Sequence, residues 1–154
     1  MEVIQIWGSA ISAAKWIVDA LLKKRSEDKT IKRQNWLQVA DYLETIAKLL
    51  ENSLSDFAKG RAPYNYLSQL TEMRADFGDV LARVYRKDDQ ANQDLIRQYA
   101  DALDFSADRI FLEDLARLQP ELNDPTNSEL NEFAELQIIA GKFHALAATL
   151  RATA

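Results

Sequence analysis

The sequence predicts an all-α fold, an antiparallel bundle of about five helices. Three observations carry this. Glycine and proline are scarce, 4 and 3 in 154 residues, so breaks are few and elements are long. No stretch alternates apolar and polar residues between turn signals, as a strand would. Apolar residues instead recur at helical spacing along the chain. At this length a single domain with a real hydrophobic core is expected.

The first helix is predicted from about Val3 to Lys24. On a wheel at about 100° per residue, Glu2, Gln5, Ser9, Ser12, Lys15 and Asp19 share one sector. Val3, Ile4, Ile6, Trp7, Ile11, Ile17, Val18, Leu21 and Leu22 fill an apolar arc about 200° wide, against the roughly 100° that a surface helix needs. Trp16 alone projects from the polar sector. The second helix, about Thr30 to Lys59, carries Trp36, Val39, Ala40, Leu43, Ile46, Ala47, Leu50, Leu54 and Phe57 in one stripe about 120° wide, which predicts a single buried face. Gly60 suits the residue after its end and Pro63 the first turn of the next helix.

The third helix, about Pro63 to Arg86, has the stripe Tyr66, Leu67, Leu70, Met73, Phe77, Val80, Leu81 and Val84. Asp88 or Asp89 then caps a fourth helix, about Gln90 to Leu118. Its core line is Leu95, Ile96, Tyr99, Leu103, Ala107 and Ile110, with Phe105 and Leu112 on the opposite face as a second contact. The fifth helix runs from about Asn127 to Arg151, with Thr126 and Glu129 at capping-box spacing. Its polar stripe is narrow: Asn131, Glu135, Lys142 and Thr149. The first and fifth helices demand the most burial, so they should lie together with the other three around them. The chain stops at "RATA" after this helix, as the front domain of a longer protein would.

Composition excludes several functions. There is no cysteine, hence no disulfide, thiolate metal site or cysteine nucleophile. Net charge is −5, which argues against a nucleic-acid partner. The one histidine, His144, projects into the apolar side of the fifth helix and reads as a hydrogen-bonded structural residue. No Glu-x-x-His pair, His-based triad or phosphate-binding glycine loop can be assembled. Asp101, Asp104 and Asp108 read as a solvated acidic face, and Asp114 with Arg117 as an ion pair. The expectation is a non-enzyme without metal or cofactor.

Charge is unevenly placed. Residues 1–33 carry a net of +3 and the remaining 121 residues a net of −8. Lys23, Lys24, Arg25, Lys29, Lys32 and Arg33 directly follow the apolar segment, where cations also suit a helix C-terminus. A signal peptide would place its basic residues first, so that reading fails. Twenty residues reach across roughly 30 Å of hydrocarbon, but Lys15 and Asp19 sit too deep for a permanent span. The segment is therefore a core helix, or one that sinks into a bilayer surface. For the second, Trp7 and Trp16 are the interfacial residues and the basic run is the contact for anionic headgroups.

The stretch "WLQVADYLETIAKLLENSLSDFAKGRAPY", Trp36 to Tyr64, resembles the front domain of cyanobacterial NLR-like proteins. With the apolar helix before it, the whole resembles the bacterial HeLo-like (Bell) cell-death domains. The resemblance implies an all-α bundle whose N-terminal hydrophobic helix targets membrane after oligomerisation. It also implies self-association, a sensor or amyloid-motif partner, and a cytoplasmic resting state that moves to the inner face of the cell membrane. The alternative expectation is a helical adaptor that binds another protein through a stripe such as Phe105 and Leu112, with no membrane activity.

Overall fold

A computed structural model describes residues 2–58, 64–104 and 129–153, with side chains described for residues 5, 7–52, 68–104 and 134–153. Among these residues there are five helices: α1 (Glu2–Glu27), α2 (Arg33–Ala58), α3 (Tyr64–Val84), α4 (Gln90–Asp101) and α5 (Glu129–Thr153). They form one all-α bundle around a common core. Residues 28–32 join α1 to α2, turned by the Asp28 carboxylate, which accepts from the Thr30 backbone N–H (3.0 Å) and hydroxyl. Residues 85–89 join α3 to α4. Of the two expected caps, Asp89 is the one used: its side chain accepts from the Asn92 N–H at 2.8 Å.

The centre of the bundle is the α2–α5 pair, and this corrects the expected arrangement. α2 also packs on α3, while α1 lies on the flank against α5 and α4. Helices α1 and α5 are neighbours as expected, but among the described helices α1 lies beside the central pair rather than within it. The reason lies in α2, whose buried face is wider than its apolar stripe suggests. Tyr42 and Leu49 are buried along with Trp36, Val39, Ala40, Leu43, Ile46, Ala47 and Leu50. They extend the buried arc to about 180°, which lets α2 take one neighbour on each side. Tyr42 belongs there because its ring stacks on Phe77 of α3 (4.4 Å, 13°) and its hydroxyl donates to the Leu103 carbonyl at 2.7 Å.

That hydrogen bond bears on a second correction. α4 ends at Asp101 rather than running on, and residues 102–104 form a turn. Within the turn, Leu103 N–H donates to the Ala100 carbonyl and Asp104 N–H to the Asp101 carbonyl. Tyr42 takes the Leu103 carbonyl that a continuing helix would use four residues later. Arg74 of α3 reaches both Asp101 (3.1 Å) and Asp104 (3.6 Å), while Asp101 stays exposed as expected, so the acidic face is solvated and also paired with a guanidinium. Leu95, expected on the core line, is 39% exposed; Ile96, Ala100 and Leu103 fill that role. Gly60, Pro63, Phe105, Ala107, Asp108, Ile110, Leu112, Asp114, Arg117 and Thr126 lie outside the described residues.

α3 buries Leu70, Phe77, Val80 and Leu81 with Met73 and Val84 packed beside them, as its stripe predicts. α5 buries Leu136, Ile139, Ala140, Phe143, Ala147 and Leu150. Its other side does not follow expectation. Ile138 is 59% exposed, and Ala134, Gly141, Ala145 and Ala148 are exposed near it. α5 is apolar nearly all round, yet only one side is covered.

Candidate functional site

The site to test is α1 and the surface that receives it. Its buried line is Trp7, Ala10, Ala13, Ala14, Ile17, Val18 and Leu21. Ile11 and Leu22 are half-buried at the edges of that line. Gln5, Ser9, Ser12, Lys15, Asp19 and Lys23 are exposed, so the polar sector read from the wheel faces outward. Side chains of Val3, Ile4 and Ile6 lie outside the described residues. The three alanines explain how α1 seats. Small side chains at i, i+3 and i+4 let its backbone approach the neighbouring helices closely, while Trp7, Ile17 and Leu21 fill the wider gaps. Sequence reasoning named the large residues and passed over these alanines, although their spacing was visible.

Both expected interfacial tryptophans are engaged within the bundle. Trp7 is fully buried and meets Phe143 of α5 edge-on, with ring centroids 6.3 Å apart at 86°. Trp16 stacks on Tyr99 of α4 at 4.2 Å and 14°. Its place in the polar sector is explained by this contact, since α4 covers that side of α1. An edge-on or offset aromatic pair adds about 0.5–1.5 kcal/mol beyond its buried area.

The basic run divides into two groups. Lys24 forms an ion pair with Asp88, and its ammonium lies 5.5 Å from the centroid of the Tyr85 ring. Arg25 lies 5.5 Å over the ring of the buried Trp36. These two cations close the C-terminal end of α1 onto the bundle. Lys23, Lys29, Lys32 and Arg33 are exposed. Asp88 also accepts from the Asn92 side-chain amide. The hydrogen bond from Lys24, helped by Asn92 and by the Lys24 charge, holds the Asp88 carboxyl below its ordinary range against a smaller opposing effect of burial. Burial pushes the Tyr85 phenol up, with the Asp88 and Glu27 charges adding to it.

The Asp88 shift has a defined sign. A folded pKa below the unfolded one stabilises the fold above the unfolded value of about 3.9 and loses that contribution as pH falls through the lowered value. Asp88→Asn should therefore lower the melting temperature at neutral pH, and the gap to the parent should close as pH falls through the lowered Asp88 value. Thermal melts of both proteins across that range check this. A gap that persists unchanged at low pH would mean that the carboxylate charge is not what matters.

His144 lies at the rim of the α2–α5 seam rather than in its apolar side. Its Nε2 is 2.7 Å from Glu51 Oε1 and its Nδ1 is 3.8 Å from Glu44 Oε1. Arg151 bridges Glu44 and Asp41, the latter at 2.8 Å. The Arg151 hydrogen bond lowers the Glu44 carboxyl, against a smaller opposing effect of burial. The cluster ties the two central helices together along their exposed edge. Among the described residues no group of three or more His, Asp or Glu is placed to hold a metal ion. No helix among them is long and apolar enough to cross a membrane. No protein-family model, curated protein or solved structure matches the chain.

Proposed function

We propose that this chain is a membrane-targeting effector domain of a bacterial cell-death system, with α1 as its lipid-engaging element and this structure as its resting state. The observation that supports the reading is the position of α1. Among the described helices it lies to one side, burying one apolar face against α5 and α4, while α2 packs on both α5 and α3 without it. A helix so placed can leave without dismantling the central pair. Trp7, Ile17, Val18 and Leu21 each gain about 1.5–3 kcal/mol from burial. Exposing them to water would cost a large part of the roughly 5–15 kcal/mol that holds a domain folded. Release is therefore favourable only into another apolar medium, either a bilayer or copies of α1. The length and charge of α1 suit a helix lying in the interface, with Lys15 and Asp19 outward, better than one that crosses.

Dye release from anionic vesicles tests this. The parent protein, once concentrated on the vesicle surface, should cause leakage with a blue shift of Trp16 emission. Ile11→Asp, at the half-buried edge of α1, should reduce leakage at least about tenfold, since a charge in the apolar face costs roughly 2.5–3.5 kcal/mol in lipid. Equal leakage from both proteins, or none from either, removes the reading. A helical adaptor is the second reading. The exposed Ile138 on α5 is the observation that favours it.

A further inference from the structure

The fold assembles a basic cleft that no linear stretch of the sequence displays. It lies between the α1–α2 connection and the end of α3, encloses about 300 Å³, and is lined by Lys24, Lys32, Asn35, Arg83, Arg86 and Lys87 over an apolar floor of Ile31 and Val84. Five cations from two helices and two connections thus converge on one small volume. Lys24 is neutralised by Asp88. None of Lys32, Arg83, Arg86 and Lys87 forms an ion pair among the described residues. Asp28 is the one carboxylate in the lining. It is held below its ordinary range first by the Thr30 hydrogen bonds, and only weakly by the charges of Lys87 and Lys24.

This arrangement runs against the rest of the chain. Acidic residues outnumber basic ones, 24 to 19, and three of the described arginines outside the cleft pair with them: Arg74 with Asp101 and Asp104, Arg97 with Asp94, Arg151 with Asp41 and Glu44. A second unfavourable feature adds to it. The start of α2 borders the cleft through Lys32, just before the helix, and Asn35 in its first turn, which holds no acidic residue. Cations therefore sit at the positive end of the α2 dipole, where anions are favoured. Mutual repulsion and the dipole act in the same direction, and a bound anion relieves both. Two guanidinium forks, two ammonium groups and a carboxamide together match several oxygens at once, which a phosphate or a short run of phosphates presents and a single carboxylate does not.

We propose that this cleft is a binding site for a phosphate-bearing ligand, with Lys32, Arg83, Arg86 and Lys87 as its charged contacts and Asn35 as a neutral donor. It is complete while α1 is docked, so it stands apart from the release of α1 and does not rest on it. The ligand chemistry is shared by a phosphomonoester lipid headgroup and by a soluble polyphosphate.

Calorimetric titration of the full chain with inorganic tripolyphosphate at low salt is the test. The parent protein should bind one equivalent, with affinity that falls steeply as salt rises. Arg86→Ala/Lys87→Ala should weaken binding at least about tenfold. Lys48→Ala/Lys142→Ala removes the same charge from exposed positions outside the cleft and should stay within about twofold of the parent. All four residues are exposed, so folding should survive, and a melt of each variant confirms it. Vesicles containing phosphatidic acid or, at equal charge, phosphatidylglycerol separate the sources. Preference for phosphatidic acid that is lost in Arg86→Ala/Lys87→Ala identifies a lipid headgroup. Tripolyphosphate binding without that preference identifies a soluble ligand. No binding by the parent protein, equal weakening in both double variants, or equally tight binding of a single-stranded oligonucleotide overturns the proposal. These titrations are independent of vesicle leakage, so either can fail while the other succeeds.

Discussion

Phe143→Ala should destabilise the domain by about 3–5 kcal/mol, the range for emptying a buried aromatic site. Phe143 is fully buried on α5, and its ring receives the edge of Trp7 from α1. Its removal opens a void at the place where the peripheral helix meets the central pair. Neither helix can collapse into that void easily, because α5 is also fixed against α2 through Leu136, Ala140, Ala147 and Leu150 and the Arg151 bridges. For a chain of this size the melting temperature should fall by roughly 10 °C. Urea unfolding followed by far-ultraviolet circular dichroism measures it. A loss below about 1 kcal/mol would show that the Trp7–Phe143 contact does not hold α1 in place.

Ala14→Asp should have a larger and more selective effect. Ala14 is fully buried in the middle of the α1 line. Lys15, the neighbouring cation, is exposed on the outward side of the helix, so a carboxylate at Ala14 is buried without a partner, and an unpaired buried charge costs several kcal/mol. The cheapest response is to undock α1, since α2 keeps its contacts with both α3 and α5. Amide hydrogen exchange should then lose protection across residues 7–21 while residues 39–50 of α2 stay protected. Uniform loss in both segments would mean that α1 and the central pair unfold as one unit. In that case a docked-to-released transition would not be available to this fold.

The two substitutions separate contributions that the sequence mixes together. The apolar arc of α1 reads as one wide hydrophobic surface. In the bundle, a line of alanines sets how close α1 lies, and the large residues on either side fill space. The wheel was right about Gln5, Ser9, Ser12, Lys15 and Asp19, because helical periodicity is a local property and these positions share one side of any straight helix. It left Trp16 in the polar sector without a partner, because the ring that covers it, Tyr99, is eighty-three residues further along the chain.

α2 and α4 show the same boundary from the other direction. The stripe of α2 placed Trp36, Val39, Ala40, Leu43, Ile46, Ala47 and Leu50 correctly in the core. Tyr42 and Leu49 were missed because their burial depends on α3 closing the second side. The end of α4 was missed because no proline or glycine marks it. Helix propensity continues through Ala102 and Leu103, and the turn is held by Tyr42 and Arg74 from two other helices. The charge asymmetry was visible as a basic segment over residues 1–33, but the third helix was expected to end near Arg86 with nothing to link that end to the basic run. Their convergence with Lys24 and Lys32 belongs to the packing.

The amino-acid order by itself determined that this protein is helical, where most of its helices lie, and which side of each is greasy. Those are consequences of short-range periodicity and of the scarcity of breakers. Tertiary structure alone decided that α2 and α5 form the centre, that α1 sits at the flank with both tryptophans engaged, and that separate cations meet in one cleft. Each of these depends on which helix covers which, and that follows from the closest joint packing of all five rather than from the pattern along any one.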